Sequence, residues 1–229
     1  MNFSIKPNRR ETIWGYVYLA LYLSVLSRLI PLAAYYLAPQ LNSAQVNFLY
    51  FTINFLATVL IFRKYLKKSL QSVLSSPLAS LAYALLGYLV SRILGGYLSM
   101  LILRLEPSFA NVNDAAIRTM LSSNFALMAI GAVILAPVTE ELLFRGLIFR
   151  GLYDRSPVLA HLASICLFSL IHVTNYIGVY DWKLLGLCFL QYLVPACCLN
   201  FAYRCSGNIL TPIFMHGLTN LIALWAMPG

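Results

Sequence analysis

Seven apolar runs divide this chain, each close to the twenty or so residues that a helix needs to cross a bilayer core, with the charge gathered between them. They are Trp14 to Leu37, Val46 to Phe62, Pro77 to Leu103, Thr119 to Leu135, Pro157 to Val173, Lys183 to Tyr203 and Thr211 to Trp225. An eighth stretch, the helix that carries Glu140 and ends near Arg150, follows the fourth run and is too short to cross alone. Only 10% of residues are charged and mean hydropathy is +0.79, against about 25% charged in soluble domains. The expected fold is therefore all-α: a polytopic transmembrane helical bundle of about seven spans plus a motif-bearing helix. No repeat or linker divides it, so a single membrane domain is expected.

The net charge of +9 does not point to nucleic acid, because it sits in short clusters beside apolar runs. Lys6, Arg9, Arg10, the Arg63–Lys68 cluster, Arg150, Arg155 and Arg204 fall on one side of the expected topology. Arg104, Arg118 and Lys183 fall on the other. The positive-inside rule then places the N-terminus in the cytoplasm, with the first helix retained and the C-terminus outside. Arg28 and Arg92, within spans, are expected to snorkel to an interface. The five cysteines form no C-x-x-C pair and read as free thiols used in packing.

Acidic residues are scarce, yet Glu140 and Glu141 stand side by side in Ala136–Gly146. Ionisable groups at membrane depth mark a functional site unless a structural pairing accounts for them. Pro137 suggests a new helix start, with both glutamates in its first turn. Arg145 follows Glu141 by four residues, within ion-pair reach, while Glu140 points about 100° away. One carboxylate is thus neutralised locally and the other is free for use. His172 ends an apolar run, and His216 and Asn220 share a helix face in the last span, which Thr211 and Pro212 are expected to open. His161 reads as interfacial. Taken singly, an intramembrane histidine is an interhelical hydrogen-bonder. Depth counting puts Glu140 and His216 roughly level, but His172 about 24 Å along its own helix, which is too deep. A transporter would also use such groups, but no inverted repeat is present.

Glu-Glu-x-x-x-Arg at Glu140, Glu141 and Arg145, Phe-x-x-x-His at Phe168 and His172, and His-x-x-x-Asn at His216 and Asn220 resemble, in order and spacing, the motifs of the CAAX-protease and bacteriocin-processing (Abi-type) family of intramembrane proteases. The resemblance covers residues 119–227, and residues 1–118 carry no recognised motif. It implies hydrolysis of a peptide bond in a membrane-bound peptide or protein by an integral multi-pass protein, with a bacterial cell membrane as the expected location. By resemblance Glu140 is the general base, His172 holds the attacking water, His216 and Asn220 stabilise the oxyanion, and Glu141, Arg145 and Phe168 support the site. The family has been described both as metal-independent and as metal-dependent. Glu140, His172 and His216 are plausible zinc ligands, but the expectation is a Glu–His mechanism without cofactor. A bacteriocin self-immunity protein or a non-catalytic membrane scaffold is the alternative. The four catalytic candidates are expected to converge on one cavity opening towards the cytoplasm.

Overall fold

The structure is a computed structural model that describes residues 3–227. Apolar sequence at helical length leaves the backbone one way to satisfy its polar groups in lipid, which is within helices. The described residues accordingly form nine: α1 Arg9–Leu37, α2 Ser43–Ile61, α3 Arg63–Ser75, α4 Pro77–Leu105, α5 Val112–Ser123, α6 Phe125–Tyr153, α7 Pro157–Ile171, α8 Trp182–Ser206 and α9 Leu210–Ala226. Five of them, α1, α2, α4, α6 and α8, are long and apolar enough to cross a membrane. The shorter α7 and α9 are apolar as well. The chain is an integral membrane protein of all-α architecture, with seven apolar helices.

Two boundaries differ from the sequence reading. Asn124, extended at φ −162°, caps α6 by accepting from the Leu127 N–H. It thereby separates α6 from a shorter helix, α5, so the fourth span begins at Phe125 and not at Thr119. Pro137 opens no new helix. Ala136 is already helical, and α6 runs through the proline unbroken, so the fourth span and the motif-bearing stretch are one 29-residue helix.

A wide π turn over Gly131–Leu135 makes that continuity possible. In π register the proline nitrogen would face the Ala132 carbonyl, and it has no hydrogen to give. Asn220 of α9 fills the gap, its Nδ2 donating to Ala132 O at 2.8 Å. One turn earlier on α9, Gly217 lies against the same stretch. A Cβ there would stand 2.6 Å from Val133 O, so only glycine lets the helices approach this closely.

All residues from Thr139 to Arg150 are buried, which makes the second half of α6 the axis of the bundle. Phe62, Tyr65, Ala196, Tyr203 and Met215 pack round it, in one core with its own Phe144 and Phe149. At the end rich in Arg and Lys, Glu11 fastens α1 to α3. One oxygen accepts from the Lys64 and Tyr65 N–H groups, both at 2.9 Å, and the other accepts from Asn8 N. A single carboxylate thus satisfies orphan N–H groups at two helix starts. Arg28 and Arg92 face outward and are exposed, as snorkelling requires.

Candidate active site

Helix lengths create the space for a site. At 1.5 Å per residue α6 is about 43 Å long and α7 about 22 Å. The neighbour of the central helix therefore ends at mid-depth, at Ile171. The chain then turns through Val173 and a short 3-10 segment, Thr174–Tyr176. Beyond this early stop lies a cavity of about 390 Å³, lined by Tyr22, Tyr50, Glu140, Phe168, His172, Tyr192, His216 and Asn220 among others. Its outer lining includes Asn47, Asn113, Thr174 and Met227. These belong to the end of the bundle opposite the basic clusters. The expected opening on the basic side is thus corrected: the mouth is at the other end, because that is where α7 is missing.

The depth conflict disappears for the same reason. Glu140 stands about 20 Å from the Tyr153 end of α6, and His172 about 22 Å from the start of α7, so the two are level. The α8–α9 turn is not at the surface either. Gly207, with a left-handed φ of 72°, ends α8, and Ser206, Asn208 and Ile209 are buried. The N-cap residue of α9 is Ile209, and Asn208 Oδ1 in the turn before it accepts from both the N–H and the hydroxyl of Thr211 at 3.0 Å. The N-cap is not Thr211, as the sequence suggests. Pro212 falls in the first helical turn, where its lost donor has no partner to miss.

The three motifs meet in this space. His172 is the last turn's own cap: its Nδ1 lies 2.8 Å from Phe168 O, one of the carbonyls a helix end leaves unpaired. A carbonyl only accepts, so Nδ1 carries the hydrogen and Nε2 presents a lone pair. His216 is fixed likewise. Its Nδ1 donates to Glu141 Oε1 at 2.8 Å, and that same oxygen takes Arg145 Nη1 at 3.1 Å. Both Nε2 atoms then face Glu140 Oε2, at 4.0 Å from His172 and 3.9 Å from His216. That oxygen is buried and has no hydrogen-bond partner. The gaps are too long for direct hydrogen bonds and suit one bridging water.

Beneath this trio lies a dry support. Arg145 is fully buried. Besides Glu141 it donates to Asn200 Oδ1 and Ala196 O, both at 3.0 Å, and its guanidinium lies 4.3 Å from the Phe168 ring centre. Ser164 also donates to Asn200 Oδ1, at 3.0 Å. Phe168 therefore holds one charged group with its ring and one histidine with its carbonyl. Above the trio, the Tyr192 ring stacks on His172 at 4.2 Å.

Glu140, Glu141, Arg145, Phe168, His172, His216 and Asn220 all meet at one place, with Asn220 anchored to the π turn as well as lining the cavity. Sequence reading passes over Asn200, Ser164, Tyr192, Tyr22 and Tyr50. Asn200 carried a usable signal, an amide in the middle of an apolar run. The others look like ordinary residues of membrane helices.

Glu140, His172 and His216 are chemically suited to zinc. Ligands of tetrahedral zinc stand about 3.3 Å apart for bonds near 2 Å, which is tighter than the spacing here. No group of three or more His, Cys, Asp or Glu closes to metal-holding geometry among the described residues. Glu140 Oε2 stands 4.0 Å from His172 Nε2 and 3.9 Å from His216 Nε2, so the three side chains would have to draw together to hold an ion.

Residues 122–222 match the family described as type II CAAX prenyl endopeptidase Rce1-like. The chain is also 29% identical over 148 residues to the UPF0177 protein YbdI of Lactococcus lactis subsp. lactis (strain IL1403), covering 61% of this chain and 73% of that one. No solved structure matches.

Proposed function

We propose that this chain belongs to the CAAX-protease and bacteriocin-processing family, a reading supported by the Rce1-like match over residues 122–222, and that it is an endopeptidase that hydrolyses a peptide bond in a membrane-associated peptide or protein. One observation carries the reading: two histidines, each anchored through Nδ1, turn their Nε2 atoms on a buried, unpartnered carboxylate inside a cavity. That combination holds and activates a water.

In this reading a water between Glu140 Oε2 and His172 Nε2 gives a proton to Glu140 while its oxygen bonds to the scissile carbonyl carbon. The oxyanion accepts hydrogen bonds from the second Nδ2–H of Asn220 and from Nε2–H of His216 in its protonated form. The carbon–nitrogen bond then breaks, and Glu140 passes its proton to the leaving amine. No metal takes part. The sequence order of roles, Glu140 as base, His172 on the water, and His216 and Asn220 on the oxyanion, is kept, with Glu141, Arg145 and Phe168 in support.

The test is cleavage of a peptide library by the purified protein in phospholipid vesicles. Glu140→Gln is expected to lower turnover at least about 10²-fold, the scale of a lost general base, while the protein unfolds at an unchanged temperature. Chelator is expected to leave the wild-type rate unchanged. Equal rates for wild type and Glu140→Gln contradict the assignment of the base, and loss of activity to chelator with recovery on zinc contradicts the metal-free mechanism.

A further inference from the structure

A second cavity, of about 440 Å³, adjoins the first. Ser27, Asn47, Tyr50, Met120 and Asn175 line both, so the two meet at these side chains. The rest of the second lining is largely apolar and comes from the far half of α1, the turn after it and the start of α2. It includes Pro31, Ala34, Tyr35, Leu41 and Val46. Tyr35 is 71% exposed and Pro31 is also exposed, so this groove opens sideways from the bundle at the level of an apolar helix.

The junction between the cavities has another chemistry. Ser27, Asn47 and Asn175 bring hydroxyl and amide groups there. Asn47 Nδ2 reaches only the Met128 sulfur, at 3.6 Å, a weak acceptor. Amides with spare hydrogen-bonding capacity beside an apolar groove suit an extended peptide. Its backbone N–H and C=O groups need partners and its side chains do not.

We infer that this lateral groove is the subsite for an apolar stretch of the peptide substrate, adjacent to the bond cut at Glu140. The inference rests on the proteolytic reading. It assigns substrate choice to residues 27–50, which lie outside the segment that carries the family match. A peptide lying in the bilayer enters through the open side between α1 and α2. Its large apolar side chain seats against Ala34 and Val46, its backbone passes Asn47 and Asn175, and the scissile bond reaches the Glu140 cavity.

The experiment scans a library of membrane-inserting peptides in which one position at a time is randomised on each side of the cut. Wild-type protein in phospholipid vesicles is expected to select Leu, Phe or Met at one position at a fixed distance from the cut. Ala34→Trp and Val46→Trp, which fill the groove, are expected to reverse that choice towards Ala or Gly by about tenfold or more, with other positions unaffected. An unchanged preference in variants that still cleave overturns the subsite. Because a filled groove can disturb folding, a photo-crosslinking phenylalanine placed at Tyr35 gives a second measurement in the Glu140→Gln background. It is expected to capture the selected position of the peptide, and capture of no peptide residue overturns the subsite too. The two readings fail differently. Absence of any Glu140-dependent cleavage overturns the proteolysis and the subsite with it, whereas Glu140-dependent cleavage with no effect of groove filling overturns the subsite alone.

Discussion

Glu141 satisfies two donors with a single oxygen, and the site depends on that sharing. It neutralises Arg145 in a fully buried pair and sets the tautomer of His216 at the same time. Removing one partner of a buried pair leaves the other charge unpaired, at a cost of about 3–5 kcal/mol. Glu141→Ala is thus expected to lower the unfolding midpoint and to abolish activity. Glu141→Ala with Arg145→Met is expected to regain most of the stability and none of the activity, measured by thermal unfolding in detergent alongside peptide cleavage. Equal stability in the single and double variants contradicts the pairing account. At this scale much was legible in the sequence. A carboxylate pair, two histidines and the amide of Asn220 stand out in apolar runs because each is costly there unless paired. What the spacing could not convey is direction. The free lone pair of His172 depends on Phe168 O being a helix-end carbonyl, and so on where α7 stops.

The elements were harder to read where a tertiary partner decides the local backbone. Pro137 signals a helix start on propensity alone, yet α6 passes through it because a π turn and a side chain from α9 absorb the missing hydrogen bond. Nothing local to Pro137 announces Asn220. The pairing is testable by a double-mutant cycle. Asn220→Ala leaves the Ala132 carbonyl unsatisfied and is expected to cost about 1–3 kcal/mol. In a Pro137→Ala background, where residue 137 supplies its own N–H, the stability cost is expected to shrink, while the loss of activity from Asn220→Ala persists. Identical stability costs in both backgrounds contradict the tether. Gly217→Ala pushes a methyl to within 2.6 Å of a backbone oxygen. It is expected to destabilise by about 1–3 kcal/mol, as overpacking does. Ordinary thermal stability in that variant contradicts the close approach of α9 to the π turn.

At the level of the whole molecule, the alternation of apolar runs and basic clusters gave the fold class, because hydropathy is what a bilayer acts on. It did not give the position of the mouth, which follows from the short length of α7 against α6. The positive-inside rule predicts the basic end in the cytoplasm, and the mouth would then face outward. Reporter fusions after Lys68, Arg155 and Arg204 are expected to read cytoplasmic, and fusions after Glu106 and Asp181 external. An external signal at Arg155 contradicts this orientation. The central claim is that Glu140 activates a water against a peptide bond, and the source of the oxygen tests it most directly. Purified wild type and Glu140→Gln are incubated with a cleaved peptide in water enriched in oxygen-18, and the products are weighed by mass spectrometry. The account predicts one heavy oxygen in each newly formed C-terminal carboxyl from the first turnover of the wild type, and no labelled product from Glu140→Gln. Labelled product formed equally by both proteins contradicts it.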